Sequence, residues 1–267
     1  MRPVPGAVLG RLRRVSGVRV LVVQPSDLDP LGPLEEWLRG AGAELVLAQP
    51  GREPLPPLAN HQAVVCLGGE MSVMDDEGHP WLVEVRRLLA EAVSARKPVL
   101  GICLGAQLLA LATGGQVRPA AHGPEVGPSL VAKRDVAADD PLFADLPFTP
   151  DVLQFHGDEI HVLPPSAVLL ASSPRYPNQA FRVGDCAYAL QFHIETSAEL
   201  VARWRDAQPA AAAAARPGDL DDERLTVVHE DMAEVWKPFA ERFVRLASRY
   251  AGLLPGDPPP PRSLPLA

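Results

Sequence analysis

The chain has 267 residues, 47% hydrophobic and 22% charged, enough to bury one substantial α/β core plus a small appendage. A formal net charge of −8 argues against a nucleic-acid partner, and no apolar run approaches the length of a membrane span. No signal peptide is read before the first strand, and Cys66, Cys103 and Cys186 form no metal-spaced pair. The three therefore read as reduced thiols of a cytoplasmic protein that needs no metal or cofactor.

Residues 1–17 make a basic arm carrying Arg2, Arg11, Arg13 and Arg14, read as a mobile tail rather than a docking segment. A first strand is expected over 18–24, a short helix over 31–39 and a second strand over 44–47. A proline-rich connection at 50–57 leads to a third strand over 63–67, which ends in Gly68-Gly69. After an acidic loop comes a helix over 81–95, with Leu82, Val85, Leu88, Leu89 and Ala92 on one stripe. This alternation predicts an α/β fold: a doubly wound, mostly parallel sheet with helices on both faces.

The stretch over 97–116 carries the chemistry. Val99-Leu100-Gly101-Ile102 is too short for a helix and reads as a buried parallel strand, while Leu104, Leu108, Leu109 and Leu111 are spaced for a helix closed by Gly114-Gly115. Cys103 falls in the turn between them, flanked by Gly101 and Gly105 in a G-x-C-x-G elbow whose glycines allow close backbone approach. A helix N-terminus then points its free N–H groups at the sulfur, and the N–H of Leu104 faces a developing oxyanion. The bland reading of Cys103 is a small buried hydrophobe. Gln107, one helical turn on, can face the same cleft; alone it would pass for an ordinary polar residue.

Past the elbow helix the pattern turns to short strands over 129–136, 151–155, 167–172, 179–183 and 187–192, expected as antiparallel pairs added to the parallel sheet. The last runs into His193-Ile194-Glu195. In extended backbone, residues two apart share a face, so Glu195 can orient the imidazole of His193. Thr196 and Glu199 read as a capping box that starts a helix. A final helix reaches about residue 250, with Leu225, Val228, Met232, Val235 and Trp236 as its apolar stripe, followed by a proline-rich tail at 255–267. His61, His79, His122, His161 and His229 have no context that assigns them chemistry.

Gly101–Gln107 (GICLGAQ) together with Gln191–Glu195 (QFHIE) resembles the class I glutamine amidotransferases, in particular the amidotransferase domain that serves GMP synthase, over residues 18–200. The resemblance implies a flavodoxin-like fold, to which the chain's own pattern adds a C-terminal helical extension at 201–254. It implies Cys103 as nucleophile, His193 as general acid and base, and Glu195 as the residue orienting His193. It makes Gly69 the second oxyanion donor beside Leu104, and places Gly68, Gln107, Gln154 and His156 at the glutamine pocket. His156 reads equally well as a surface histidine at a strand end. Two positions depart from the family pattern: Ile194 and Glu70 each stand where proline is usual, and Ile194 is expected to loosen its loop.

Three functions follow from that resemblance. The first is a hydrolase that cleaves the γ-amide of glutamine through a cysteinyl thioester, releasing ammonia in water or to a synthetase partner in trans. The second is a hydrolase of γ-glutamyl amines or peptides with the same triad, and the third is a silent regulatory subunit. The chain has no G-x-x-x-x-G-K nucleotide loop of its own. A related cysteine fold of protease and chaperone type also uses G-x-C-x-G, but His193-x-Glu195 at one late strand end argues for the amidotransferase side.

Overall fold

Strand and helix alternate through the first half of the chain in a computed structural model, which describes residues 17–254. Nearly all of the basic arm and all of the proline-rich tail lie outside the described residues. β1 (Val18–Val23) is followed by α1 (Pro33–Gly40), β2 (Ala43–Ala48), β3 (Ala63–Cys66), α2 (Trp81–Ser94), β4 (Val99–Ile102) and α3 (Leu104–Ala112). β3 and β4 are buried at every position, as strands covered by helices on both faces must be. α1 begins on Pro33, whose missing N–H costs nothing in a first helical turn.

The second half adds β5 (Gln116–Pro119), β6 (Glu125–Leu130), β7 (Ala132–Lys133), β8 (Asp151–His156), β9 (Asp158–Val162), β10 (Ala167–Ser172), β11 (Ala180–Val183) and β12 (Ala187–Leu190). It closes with α4 (Ala198–Ala207), α5 (Pro209–Ala212) and α6 (Asp222–Tyr250). The main sheet has the order β2-β1-β3-β4-β12-β11-β10-β7. Its first five strands run parallel, and β11, β10 and β7 continue it antiparallel. β5–β9 and β6–β8 form two separate antiparallel ribbons.

The period of two along β1 divides the core. Val20 and Val22 belong to the apolar layer that includes Leu34 and Leu38 of α1 and Phe243 of α6, whereas Leu21 and Val23 join Leu89 of α2 and Leu108 of α3. Leu225, Val228, Met232 and Trp236 are buried in the α1 layer, and Val235 packs half-buried beside them. The C-terminal helices are thus part of the core. No helix among the described residues is long and apolar enough to cross a membrane.

Three local expectations shift. The strand expected over 129–136 is the end of β6, then β7 and a 3-10 turn over Asp135–Asp139, because the chain there leaves the β8 ribbon to join β10 on the main sheet. β5 and β9 had no sequence signal, being short and mixed in polarity. The helix after Glu195 is capped by Ser197, whose Oγ accepts from Leu200 N at 3.2 Å, one residue later than the capping-box reading. Thr196 is engaged elsewhere, its Oγ1 lying 2.9 Å from Nε2 of His229.

Candidate active site

β4 and β12 are parallel neighbours, with Ile102 opposite Leu190. Their C-terminal ends bring Cys103 beside the segment carrying His193, and the N–H of Cys103 donates to the carbonyl of Leu190 at 2.8 Å. Cys103 has φ 50° and ψ −108°, a left-handed conformation that a non-glycine residue adopts only under the constraint of its surroundings. Those surroundings are the flanking glycines. A Cβ on Gly105 would fall 2.0 Å from the carbonyl oxygen of Cys66, and one on Gly101 2.6 Å from that of Gly105.

His193 is tied by its backbone to β8, donating to Leu153 O at 2.8 Å and accepting from Leu153 N at 3.2 Å. Its Nδ1 lies 2.7 Å from Oε1 of the fully buried Glu195. Nε2 is buried without a conventional hydrogen-bond partner. Burial opposes the imidazolium, but the charges of Glu195 and Cys103 outweigh it and hold His193 well above the ordinary histidine range. The edge of Trp204 closes on the ring at 4.7 Å between centroids. Ile194 is buried, and its N–H donates to Oε2 of Glu195 at 2.9 Å, so this position tightens the loop it was expected to loosen.

Burial pushes Cys66 and Cys186 up to about 12 each.

A cavity of about 250 Å³ opens in front of Cys103, with Gly69, Glu70, Gln107, His156 and Asp158 in its wall. The Gln107 amide donates to Gln191 Oε1 at 3.3 Å and to Asp158 O at 3.4 Å, while Gln191 Nε2 lies 3.9 Å from the Cys103 sulfur. His156 is buried, with Nδ1 2.8 Å from Asp158 O and Nε2 3.2 Å from Glu125 Oε2, which overturns its reading as a surface histidine. Among the described residues, no hydrogen bond takes up the N–H of Gly69 or of Leu104.

Two expected pocket residues sit elsewhere. Gln154 is held behind the cavity, its amide donating to Gln179 Oε1 at 3.0 Å, and Gln179 in turn donates to Glu125 at 2.7 Å. Gln154 shares its strand face with His156, two residues on, and joins the same polar cluster around Glu125 outside the cavity wall. Gly68 does not line the main cavity. A Cβ there would lie 2.8 Å from Oδ2 of Asp29 and 3.2 Å from Cε1 of His193, so its bareness makes room for both.

Sequence reasoning missed Asp29, Glu125, Gln191, Trp204 and Gln208. Only Asp29 carried a usable signal, since it follows β1 at the carboxyl edge of a doubly wound sheet, where such folds gather their ligands. His229 keeps a packing role: its Nδ1–H donates to Leu225 O at 2.7 Å, which leaves Nε2 to accept from Thr196. Among the described residues, no three His, Cys, Asp or Glu side chains group as metal ligands.

The model of the family "Glutamine amidotransferase class-I" matches residues 42–201. GMP synthase (glutamine-hydrolyzing) of Thermomicrobium roseum is 38% identical over 136 residues, 51% of this chain and 24% of that protein. Gamma-glutamyl peptidase 4 of Arabidopsis thaliana is 29% identical over 146 residues, 54% of this chain and 57% of that one. The chain therefore spans about a quarter of the first relative and little more than half of the second. A crystal structure of a glutamine amidotransferase from Thermotoga maritima superposes with a TM-score of 0.76 at 31% identity, covering 86% of this chain and 98% of that one. With the family model matching more than half of its length, and a solved member aligned over nearly all of that member's own, the chain belongs to the class I glutamine amidotransferase family.

Proposed function

We propose that the protein hydrolyses a γ-glutamyl amide, in glutamine or a γ-glutamyl amine or peptide, through a thioester on Cys103. The observation that carries this reading is the alignment of Glu195, His193 and the Cys103 elbow at the ends of two adjacent strands, with Nδ1 of His193 committed to Glu195 and Nε2 free to exchange a proton.

Nε2 of His193 takes the Cys103 proton, and the sulfur attacks the γ-carbonyl carbon. The carbonyl oxygen becomes an oxyanion that the N–H groups of Leu104 and Gly69 are available to receive. As the C–N bond breaks, His193 returns its proton to the leaving nitrogen. Water, deprotonated by His193, then attacks the thioester carbonyl and releases glutamate and the free thiol. Glu195 keeps the imidazole oriented and supports its charged form throughout.

Likeness to a gamma-glutamyl peptidase supports hydrolysis by the chain alone. Likeness to a glutamine-hydrolyzing GMP synthase supports a second reading, in which ammonia passes to a synthetase partner in trans. The test is to incubate the purified chain, without ATP, with glutamine and a panel of γ-glutamyl amines and peptides, and to measure released ammonia or amine. Saturable turnover that Cys103→Ala abolishes supports the hydrolase. Turnover that rises many-fold on adding a lysate of its source supports the partner reading.

A further inference from the structure

The leaving nitrogen has to take its proton from Nε2 of His193, so it departs on the His193 side of the sulfur. That side is a small cavity of about 30 Å³, walled by Asp29, Glu70, His193 and Trp204 and joined to the main one through Gly69, Cys103 and Phe155. No Lys or Arg lines either cavity. Asp29 is only 6% exposed, and among the described residues its carboxylate makes no hydrogen bond or ion pair. A buried acid without a partner is costly to keep, yet the surroundings hold it in place. The Trp204 indole N–H donates to Leu28 O at 2.6 Å, Gly32 packs with φ 50° against the backbone of Glu195, and Gly68 leaves the space that the carboxylate occupies.

Resting on the hydrolase reading, we propose that this cavity is a leaving-amine subsite in which Asp29 receives the departing group as a primary ammonium ion. The substrates are then amides whose leaving group is ammonia or a small uncharged-chain amine, and γ-glutamyl amino acids, whose leaving group carries a carboxylate, are disfavoured. The C–N bond breaks with the proton of His193 going to nitrogen, and the neutral amine takes a second proton from solvent to become R–NH3+ against Asp29. The volume suits it, being enough for one or two water-sized groups, so ammonia fits within and a longer chain extends into the main cavity. Burial pushes Asp29 up to about 7, against the pull of His193 and with the help of Glu195 and Glu70. An arriving cation therefore meets a carboxyl that ionises readily at neutral pH.

The test pairs a binding readout with a turnover readout, on the wild-type chain and on Asp29→Asn, which keeps the shape and removes the charge. Methylammonium is expected to protect Cys103 from iodoacetamide in the wild type, and to do so about tenfold more weakly in the variant, as expected for a lost partly buried charge pair. Glycine at equal concentration should protect less than methylammonium in the wild type only. In turnover, the wild type should prefer γ-glutamyl-methylamide over γ-glutamylglycine, and Asp29→Asn should narrow that preference about tenfold. Because the preference is measured within each protein, a partly misfolded variant does not distort it. Equal protection in both proteins, or an unchanged preference, overturns the subsite even if turnover is brisk. Protection that depends on Asp29, without hydrolysis of any γ-glutamyl compound, supports the subsite and overturns the hydrolase reading.

Discussion

The backbone N–H of Ile194 and the carboxylate of Glu195 are hydrogen-bonded at 2.9 Å through Oε2, while Oε1 of the same carboxylate meets His193 at 2.7 Å. Both oxygens of Glu195 are thereby fixed from within a three-residue segment. A proline at 194, the residue usual in the family, has no N–H to offer there.

Ile194→Pro is accordingly expected to lower kcat. A hydrogen bond to a charged group is worth about 1.5–3 kcal/mol, which corresponds to roughly tenfold or more in rate if it is realised at the transition state. Ile194→Val keeps the N–H and should stay within about threefold of wild type. Equal losses in the two variants would trace the effect to packing rather than to the hydrogen bond.

The three cysteines should separate in a labelling experiment. At pH 7.5 iodoacetamide is expected to modify Cys103 alone in the native protein, since burial pushes Cys66 and Cys186 up to about 12 and shields them. Cys103→Ala should abolish turnover and keep the fold. Cys103→Gly should be more stable than Cys103→Ala by about 1 kcal/mol, because only glycine relaxes at φ 50°. Mass spectrometry of the alkylated protein and urea titrations of the two variants check both statements.

His193→Ala should cost more than Glu195→Gln. In the proposed mechanism the imidazole moves protons in both half-reactions, whereas Glu195 orients it through one 2.7 Å contact. Glu195→Gln also removes a charge that holds His193 high, so the pH at which His193 deprotonates should fall. NMR titration of the His193 ring in each protein reads that shift, and an unchanged midpoint would remove Glu195 from its assigned role.

Asp29 gives the stability of the protein a pH signature. Its folded-state pKa is raised from 3.8 to about 7, so the folded state binds this proton more tightly than the unfolded chain. The stabilising contribution is full below about 4 and is lost as pH rises through about 7, by on the order of a few kcal/mol. Asp29→Asn escapes that loss. Relative to wild type it should gain stability between pH 5 and pH 8 in urea unfolding, and a difference independent of pH would contradict the burial argument.

Much of the architecture was legible from local pattern. The buried runs of β1, β3 and β4, the helical stripe of α2 and the glycines around Cys103 depend on neighbours within a turn or two, where period and sterics act directly. The pairing of His193 with Glu195 was readable for the same reason, since two residues of extended chain share a face.

What the chain alone determined, then, was the set of candidate reacting groups and the elbow that presents the thiol. Their meeting was decided by the sheet: residues ninety positions apart touch because β12 inserts beside β4, an order that no local signal encodes. The same holds for the remaining contacts of the site. His156 became a buried wall of the cavity only because the β6–β8 ribbon sets Glu125 against it, and Gln154, two residues earlier on the same strand face, was drawn into the Gln179–Glu125 cluster outside that wall. Asp29 comes from the first loop and Trp204 from the part of α4 beyond the family match, and each reaches His193 only through packing. Long-range burial selects such contacts by shape and charge after the strands have paired, so a sequence supplies the groups and the fold supplies the distances between them.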